Sequence, residues 1–460
     1  MTDLPGPAPE PGPAQEPSTI RRRRKGGTFR NNVIWQIIGS GSQAVLSGLV
    51  LLVSARALGA HDFGVFSIVM GITYVANALF EPRMQDVAAR HFWRLHDHER
   101  DGADQAADFL DLLMLEITVK LAPCLAVAVL SPWIASVAHL PPGGAELIVW
   151  AALGTYLSKL GYGLSTGLLR VIGRSDLFVI CISAELAVRL LLMGGFAAFG
   201  HLSVLNAILI QAFTGMVSIS LQWIWVGRQL PALARWSPWS PRAALARIVP
   251  NRRLLWSNVG LSMADLMSKD LDITLMSLLT SPTNIGVYKM AKNIALLAWR
   301  AVDPFTLSLM PEVNRMVSVK AYGDLRRLQV KSSLGLFAMT IVMAIGLCVG
   351  VWLFGRPVLG PGYDAVPGLM PVVVLGLLVG APLVWAHPLS VALNRPDIAV
   401  LGSVAGTVAG VSALWLLTPS LGIFGAGIGW SLTFMTQFAY TAIFANRQLG
   451  RVISTERITA

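Results

Sequence analysis

Charge is what this sequence has least of. Asp, Glu, Lys and Arg make up 13% of its 460 residues and apolar residues 54%, against about 25% charged in a soluble domain; the mean hydropathy is +0.61. That balance excludes a soluble enzyme on an anchor and places the chain among polytopic membrane proteins. Cysteine is scarce as well. Cys124, Cys181 and Cys348 lie far apart in apolar segments, so there is no disulfide framework and no metal spacing, and packing is their role. Acids are outnumbered by bases, 25 to 36, for a net charge of +11. This excess does not point to nucleic acid, because the cations sit in short loops between apolar runs, where they set orientation. No Ser/His/Asp or Cys/His set stands out, and no outer loop is long enough for a catalytic domain. His91, His96 and His98 match no strong ligand pattern and read as a solvated loop, so neither a metal nor a cofactor is expected.

A requirement of about 20 largely apolar residues per span predicts helices near 32–55, 63–80, 112–137, 146–169, 176–199, 202–226, 254–279, 284–309, 332–354, 367–393, 397–418 and 421–445. The fold class expected is therefore an all-α polytopic membrane protein of about twelve spans. Residues 32–55 carry no charge and are too long for a leader's apolar core, so the first span is expected to be retained. With both termini in the cytoplasm, 27 of the 36 Lys and Arg residues fall inside and only Arg56 and Arg356 outside, as the positive-inside rule requires. The remaining seven lie within spans.

The chain also repeats. Gly64-Val65-Phe66 matches Gly286-Val287-Tyr288 and Glu81-Pro82 matches Asp303-Pro304, both at an offset of 222 residues; Arg174-Ser175-Asp176 matches Arg395-Pro396-Asp397 at 221, and Arg228-Gln229-Leu230 matches Arg447-Gln448-Leu449 at 219. Four matches in one order predict two six-helix lobes, 31–226 and 254–446. Each lobe holds an even number of spans, so a pseudo-twofold axis along the membrane normal relates them, with the natural ligand site between. Residues 1–30 form a disordered basic tail, 227–253 a cytoplasmic linker and 447–460 a second tail.

The stretch Leu254–Pro304 carries Asp265, Lys269, Asp270, Asp272, Lys289, Lys292, Arg300 and Asp303 within apolar sequence. Ions in hydrocarbon cost about 2.5 to 3.5 kcal/mol or more, and they face a bundle interior or a watery cavity. At 100° per residue, Lys289, Lys292, Arg300 and Asp303 share one helix face, and Asp265, Lys269 and Asp272 another. Asp265 with Lys269, and Arg300 with Asp303, fit either mutual neutralisation or a cavity lining. Lys289 and Lys292 have no acid three or four residues away, so they call for an anionic ligand or an acid on another helix. In the first half, Glu116–Lys120 and Glu185–Arg189 are spaced to neutralise each other, whereas Lys159 lies about 13 residues into its helix, near the midplane, without such a partner. The polar stripe Asn32, Gln36, Gln43, Ser47 and Ser54 fits a cavity lining and a helix contact equally. Gly402, Gly406 and Gly410 have the spacing that brings helices close, and Asp270-Leu271-Asp272 sits in a membrane helix and not in a sugar-nucleotide domain.

Two further stretches carry a family resemblance: Ala55-Arg56-Ala57-Leu58-Gly59-Ala60-His61-Asp62-Phe63-Gly64, and Ile285-Gly286-Val287-Tyr288-Lys289-Met290-Ala291-Lys292 followed by Leu309-Met310-Pro311-Glu312. Through them the chain, over about residues 28 to 450, resembles the polysaccharide and lipid-linked oligosaccharide flippases of the multidrug/oligosaccharidyl-lipid/polysaccharide exporter superfamily. The resemblance implies two lobes about a cationic cavity, alternating access, a bacterial inner-membrane location, and a polyprenyl-diphosphate-linked repeat unit as substrate. It also implies polysaccharide polymerase and glycosyltransferase partners. Lys159, Lys289, Lys292, Arg189, Lys269 and Arg300 are the candidates to meet the substrate. Asp265, Asp270, Asp272, Glu81 and Asp303 are candidates to carry a proton or sodium ion. A multidrug cation antiporter of the same superfamily and a non-transporting scaffold for polysaccharide assembly stay open as alternatives.

Overall fold

The computed structural model describes residues 27–80, 84–85, 102–229 and 270–459. Helix follows helix, with no strand among the described residues. In the first lobe these are α1 (Gly27–Leu79), α2 (Gly102–Val137), α3 (Gly144–Ser158), α4 (Tyr162–Val171), α5 (Ser175–Ala198) and α6 (Val204–Gln229). In the second they are α7 (Leu271–Met276), α8 (Pro282–Trp299), α9 (Asp303–Ser318), α10 (Tyr322–Leu359), α11 (Val366–Gly380), α12 (Ala386–Ala392), α13 (Asp397–Leu421) and α14 (Ile423–Thr459).

Seven described helices are long and apolar enough to cross a membrane. The others expected from the sequence differ for identifiable reasons. Spans 32–55 and 63–80 run on through α1, which is interrupted only at Gly59 (φ 73, ψ 169). Straight, its 53 residues would reach about 80 Å, far beyond a ~30 Å hydrocarbon layer. Instead Ser47–Ser54 and Phe63–Met70 line one cavity, so the chain doubles back at a glycine whose backbone a side chain would strain. Spans 146–169 and 284–309 are each broken in two, at Lys159–Gly161 and at Arg300–Val302. Span 367–393 holds a 3-10 turn at Ala381–Leu383. Of span 254–279 only residues 270–279 are described, and α14 extends the last span through Thr459.

The repeat is visible in local chemistry. Arg174 grips Asp176 with Nε and Nη2 at 3.1 and 3.0 Å, and Arg395 grips Asp397 in the same way at 2.9 and 2.8 Å. The breaks at 159–161 and 381–383 are likewise 222 residues apart. The lobes meet chiefly through α1 on α8, where Gly64 and Gly286 face each other: a Cβ on Gly64 would fall on Pro282 O, and one on Gly286 on Ala60 O. At the same end Arg56 donates to the carbonyls of Pro357 (2.6 Å) and Val358 (3.1 Å), and the Tyr363 hydroxyl donates to Ala55 O at 3.2 Å.

The glycine spacing of α13 does what the sequence suggests. Cβ atoms on Gly402, Gly406 and Gly410 would meet Thr441, Thr433 and Gln437 of α14, so the two helices touch backbone to backbone. Gly410→Leu should therefore overpack the α13–α14 contact and cost about 1 to 3 kcal/mol. Gly335→Ala, on α10 with nothing within 4 Å of its Cβ position, should be neutral or slightly stabilising. Melting curves of the two detergent-solubilised variants check this, and equal midpoints would remove the close-packing account.

Candidate functional site: a polar cavity between the lobes

Between the lobes lies a cavity of about 250 Å³ bordered by Tyr74, Arg189 and Gln211 of the first lobe and Asp270, Lys289 and Arg300 of the second. Tyr74, Arg189 and Gln211 also border a space of about 140 Å³ lined by Lys159 and Glu185. Tyr74, Lys159 and Asp270 border a third of about 340 Å³ that Lys120 lines as well. Shared walls make these one polar chamber across the lobe boundary, the location expected for a ligand site in a duplicated membrane fold.

Its geometry begins at Asp270. This residue takes a left-handed backbone (φ 83) as the N-cap of α7, with Asp272 in that helix's first turn. Pro282 at the start of α8 turns the chain back, so the two acids come to face Lys289 and Lys292. Lys289 donates to Asp270 Oδ1 at 2.6 Å, and Lys292 donates to both oxygens of Asp272 at 2.8 Å and to Asp270 at 3.4 Å. The Tyr288 hydroxyl and the Ile273 amide also donate to Asp272. The two lysines that lacked a local acid thus find theirs on α7, which is the second of the two options the sequence left. The pairing is balanced in charge, and Asp272 accepts at both oxygens, the condition under which buried ions persist.

The sequence placed Lys289, Lys292, Arg300 and Asp303 on one stripe, and the structure divides them. Lys289 and Arg300 line the cavity together with Asn293. Lys292 is wholly buried with Asp272. Asp303 is exposed at the start of α9, because the break at Arg300–Val302 carries it off the face of α8. Arg300 donates to Ser47 Oγ at 2.7 Å, so of the polar stripe on the first span Ser47 both lines the cavity and joins the lobes; Ser54, also in the wall, donates to Val50 O at 2.6 Å. Arg189 pairs with Glu185 and donates to Thr214 at 3.0 Å, and Glu116 pairs with Lys120, both as their spacing suggests. Lys159 does border the chamber, yet it stands at a helix break and not in mid-helix, 4.2 Å over the Tyr162 ring. Asp265, Lys269 and Glu81 lie outside the described residues, as do residues 230–253 of the linker and His91, His96 and His98. No metal-binding cluster occurs among the described residues.

Sequence reasoning missed Tyr74, Gln211, Tyr288 and Asn293. Gln211 donates to the Tyr74 hydroxyl across the chamber wall. Asn293 had a signal, since it stands one turn after Lys289; the others are neutral polar groups whose partners are distant in sequence.

No protein-family model matches the chain, and no curated protein matches it. Solved structures do. A multidrug resistance MATE family transporter of the MOP superfamily, in an inward-facing conformation, superposes with a TM-score of 0.69 at 14% identity, covering 91% of this chain and 99% of its own. The lipid II flippase MurJ, in an inward closed conformation, gives 0.69 at 12% identity over 90% and 87%. The Vibrio cholerae MATE transporter VcmN in its bent form gives 0.58 at 14% over 93% and 99%. At such identities the likeness is one of fold. The chain is a multi-pass, all-α membrane protein with the two-lobed fold of MOP-superfamily transporters.

Asp272→Asn should leave buried Lys292 with the longer Asp270 contact as its sole ionic partner and cost about 3 to 5 kcal/mol of stability. Adding Lys292→Met should recover most of that loss. Thermal unfolding of the single and double variants measures the coupling; additive effects would show that the pair does not act as a unit.

Proposed function

We propose that this chain is a flippase that moves a polyprenyl-diphosphate-linked oligosaccharide repeat unit from the inner to the outer leaflet by alternating access, for surface or exopolysaccharide synthesis. The observation that carries this reading is the excess of cations over carboxylates along the chamber, where Lys159, Arg189, Lys289 and Arg300 stand against Glu185 and Asp270. Arg189 comes from one lobe, Lys289 and Arg300 from the other, and Arg300 is held by the neutral hydroxyl of Ser47. A diphosphate is well matched to such a site, because guanidinium and ammonium donors give it short charge-assisted hydrogen bonds where water is scarce. With both termini in the cytoplasm of a bacterial inner-membrane protein, the end bearing Arg56, Gly64, Gly286 and Tyr363 is the outer one. Its contacts are those the proposed cycle must open. Polymerase and glycosyltransferase partners belong to the same reading, and Asp270 is the cavity acid best placed to respond to a proton or sodium ion.

The MATE neighbours favour a second reading, a multidrug cation antiporter. Against it, Asp270 and Glu185, the described carboxylates of the chamber, are each already bound to a cation. A drug cation would have to displace Lys289 or Arg189.

Deletion of the gene should trap a completed lipid-linked repeat unit on the inner leaflet, read by mass spectrometry with a leaflet-resolved assay. Intact surface polymer with a loss of resistance to cationic dyes would transfer the assignment to the antiporter. Arg300→Gln should lower flipping about 10- to 100-fold with insertion retained, since a charged hydrogen bond is worth about 1.5 to 3 kcal/mol. Normal polymer output from that variant would sink the role of Arg300. Alkaline phosphatase fused after Leu140 should be active and a fluorescent protein at the C-terminus should fluoresce; the reverse pattern would invert the orientation.

A further inference from the structure

At the chamber wall, where Lys120 borders the space shared with Lys159, lies a buried ion pair that the proposed binding role does not use. Glu116 and Lys120 stand one turn apart on α2, 2.5 Å from each other, with side chains 0% and 5% exposed. A pair that merely neutralised itself would end its contacts there. Instead each member reaches the break between α3 and α4. Lys120 Nζ donates to the carbonyl of Lys159, the C-cap of α3, at 3.0 Å. Glu116 Oε1 and Oε2 accept from the amides of Gly163 and Leu164, in the first turn of α4, at 3.0 and 3.2 Å. A helix ends negative and begins positive, so an ammonium on the first terminus and a carboxylate on the second are each the stabilising sign. Trp223 Nε1 donates to Leu160 O at 3.4 Å, and Gly161 supplies the left-handed residue of the turn (φ 65). Gly163 leaves room for the carboxylate: a Cβ there would lie 3.2 Å from Glu116 Oε1.

The other lobe provides an internal comparison. Its equivalent break, at Ala381–Leu383, is bridged by one neutral hydroxyl: Ser333 donates to Pro382 O at 2.7 Å and accepts from Trp385 Nε1 at 2.8 Å. A break alone therefore needs no charge. The charged bracket accompanies the break that begins at a cavity lysine, where the other lobe has Ala381.

We propose that Glu116 and Lys120 are positioning residues that bracket both ends of the α3–α4 break and so hold Lys159 at the chamber wall, where its ammonium meets the anionic end of the substrate. The last clause rests on the flippase reading; the bracketing does not.

The test places a cysteine at the position in question. Lys159→Cys in the full-length protein is labelled with a water-soluble methanethiosulfonate, and the labelling of the three native cysteines in the parent protein is subtracted. The uncharged pair Glu116→Gln with Lys120→Met removes the charges of the bracket; Gln at 116 can still accept from one α4 amide and the Lys159 carbonyl keeps its bond from the Tyr162 amide at 3.2 Å, so its melting point should fall only modestly. Its labelling rate at position 159 should fall about fivefold or more. The exchanged pair Glu116→Lys with Lys120→Glu keeps an ion pair but presents each helix end with the wrong sign, and should show the same fall. Lys120→Arg should label as the parent does. A second readout uses polyprenyl diphosphate in detergent micelles: the uncharged pair should bind it about tenfold more weakly, a loss absent when Lys159 is already Met. Parental labelling in the uncharged pair overturns the bracket. So does failure of both pair variants to insert, which would make the two residues a folding element of the lobe. Should the parent protein bind no polyprenyl diphosphate while labelling changes as expected, the flippase reading fails and the bracket stands.

Discussion

A backbone amide or carbonyl inside a bilayer has no water to turn to, and each one left without a partner costs several kcal/mol. That constraint governs this protein wherever a helix stops inside it. At the breaks at Lys159–Gly161 and Ala381–Leu383, side chains of Lys120, Glu116, Trp223 and Ser333 bond backbone groups that the interruption exposes. Gly59 handles the problem differently, by turning the chain where the first lobe meets the second and leaving Arg56 to bond the last carbonyls of α10. Two of the interruptions, at Lys159 and at Arg300, stand at the chamber wall, where irregular backbone can be matched by side chains and polar surface has a use.

The same low dielectric disciplines the charges. Asp270, Asp272, Lys289 and Lys292 form a network in which acids and bases are equal in number, and Glu116–Lys120 and Glu185–Arg189 are balanced as pairs. Balance leaves a few cations to act outward. Arg300, tied to a serine hydroxyl, is the plainest instance among the described residues. Burying Lys292 behind Lys289 fixes the acids of α7 and so fixes the floor of the chamber, while the groups that face the cavity need not themselves hold the fold.

Close approach supplies the rest. Gly64 and Gly286 occupy matching positions in the two repeats and pack on each other. Symmetry-related residues that touch must lie near the axis relating them, so this contact locates the axis and the seam between the lobes. Within the second lobe Gly402, Gly406 and Gly410 do the same for α13 and α14. Both contacts use van der Waals proximity, the main attraction left to helices when the surrounding solvent is as apolar as they are.

Composition and apolar run length alone determined that the chain is a polytopic helical membrane protein, because a bilayer fixes the length of any helix that crosses it. The repeat, read from Gly64 and Gly286 or Arg174 and Arg395, was legible because duplication leaves local sequence behind. Pairs three or four residues apart, Glu116–Lys120 and Glu185–Arg189, were legible because helix geometry makes them neighbours. What tertiary structure alone decided were partners distant along the chain: Lys289 with Asp270, Arg300 with Ser47, Gln211 with Tyr74, and Glu116 with the amides of α4. It also decided where helices break, since a run of apolar residues reads as one span whether or not another helix stands ready to satisfy an interruption. Lys159 belongs to both accounts. Its sequence position marked it as a buried cation, and only the fold of α2 against α3 and α4 set it at the end of a helix facing the chamber.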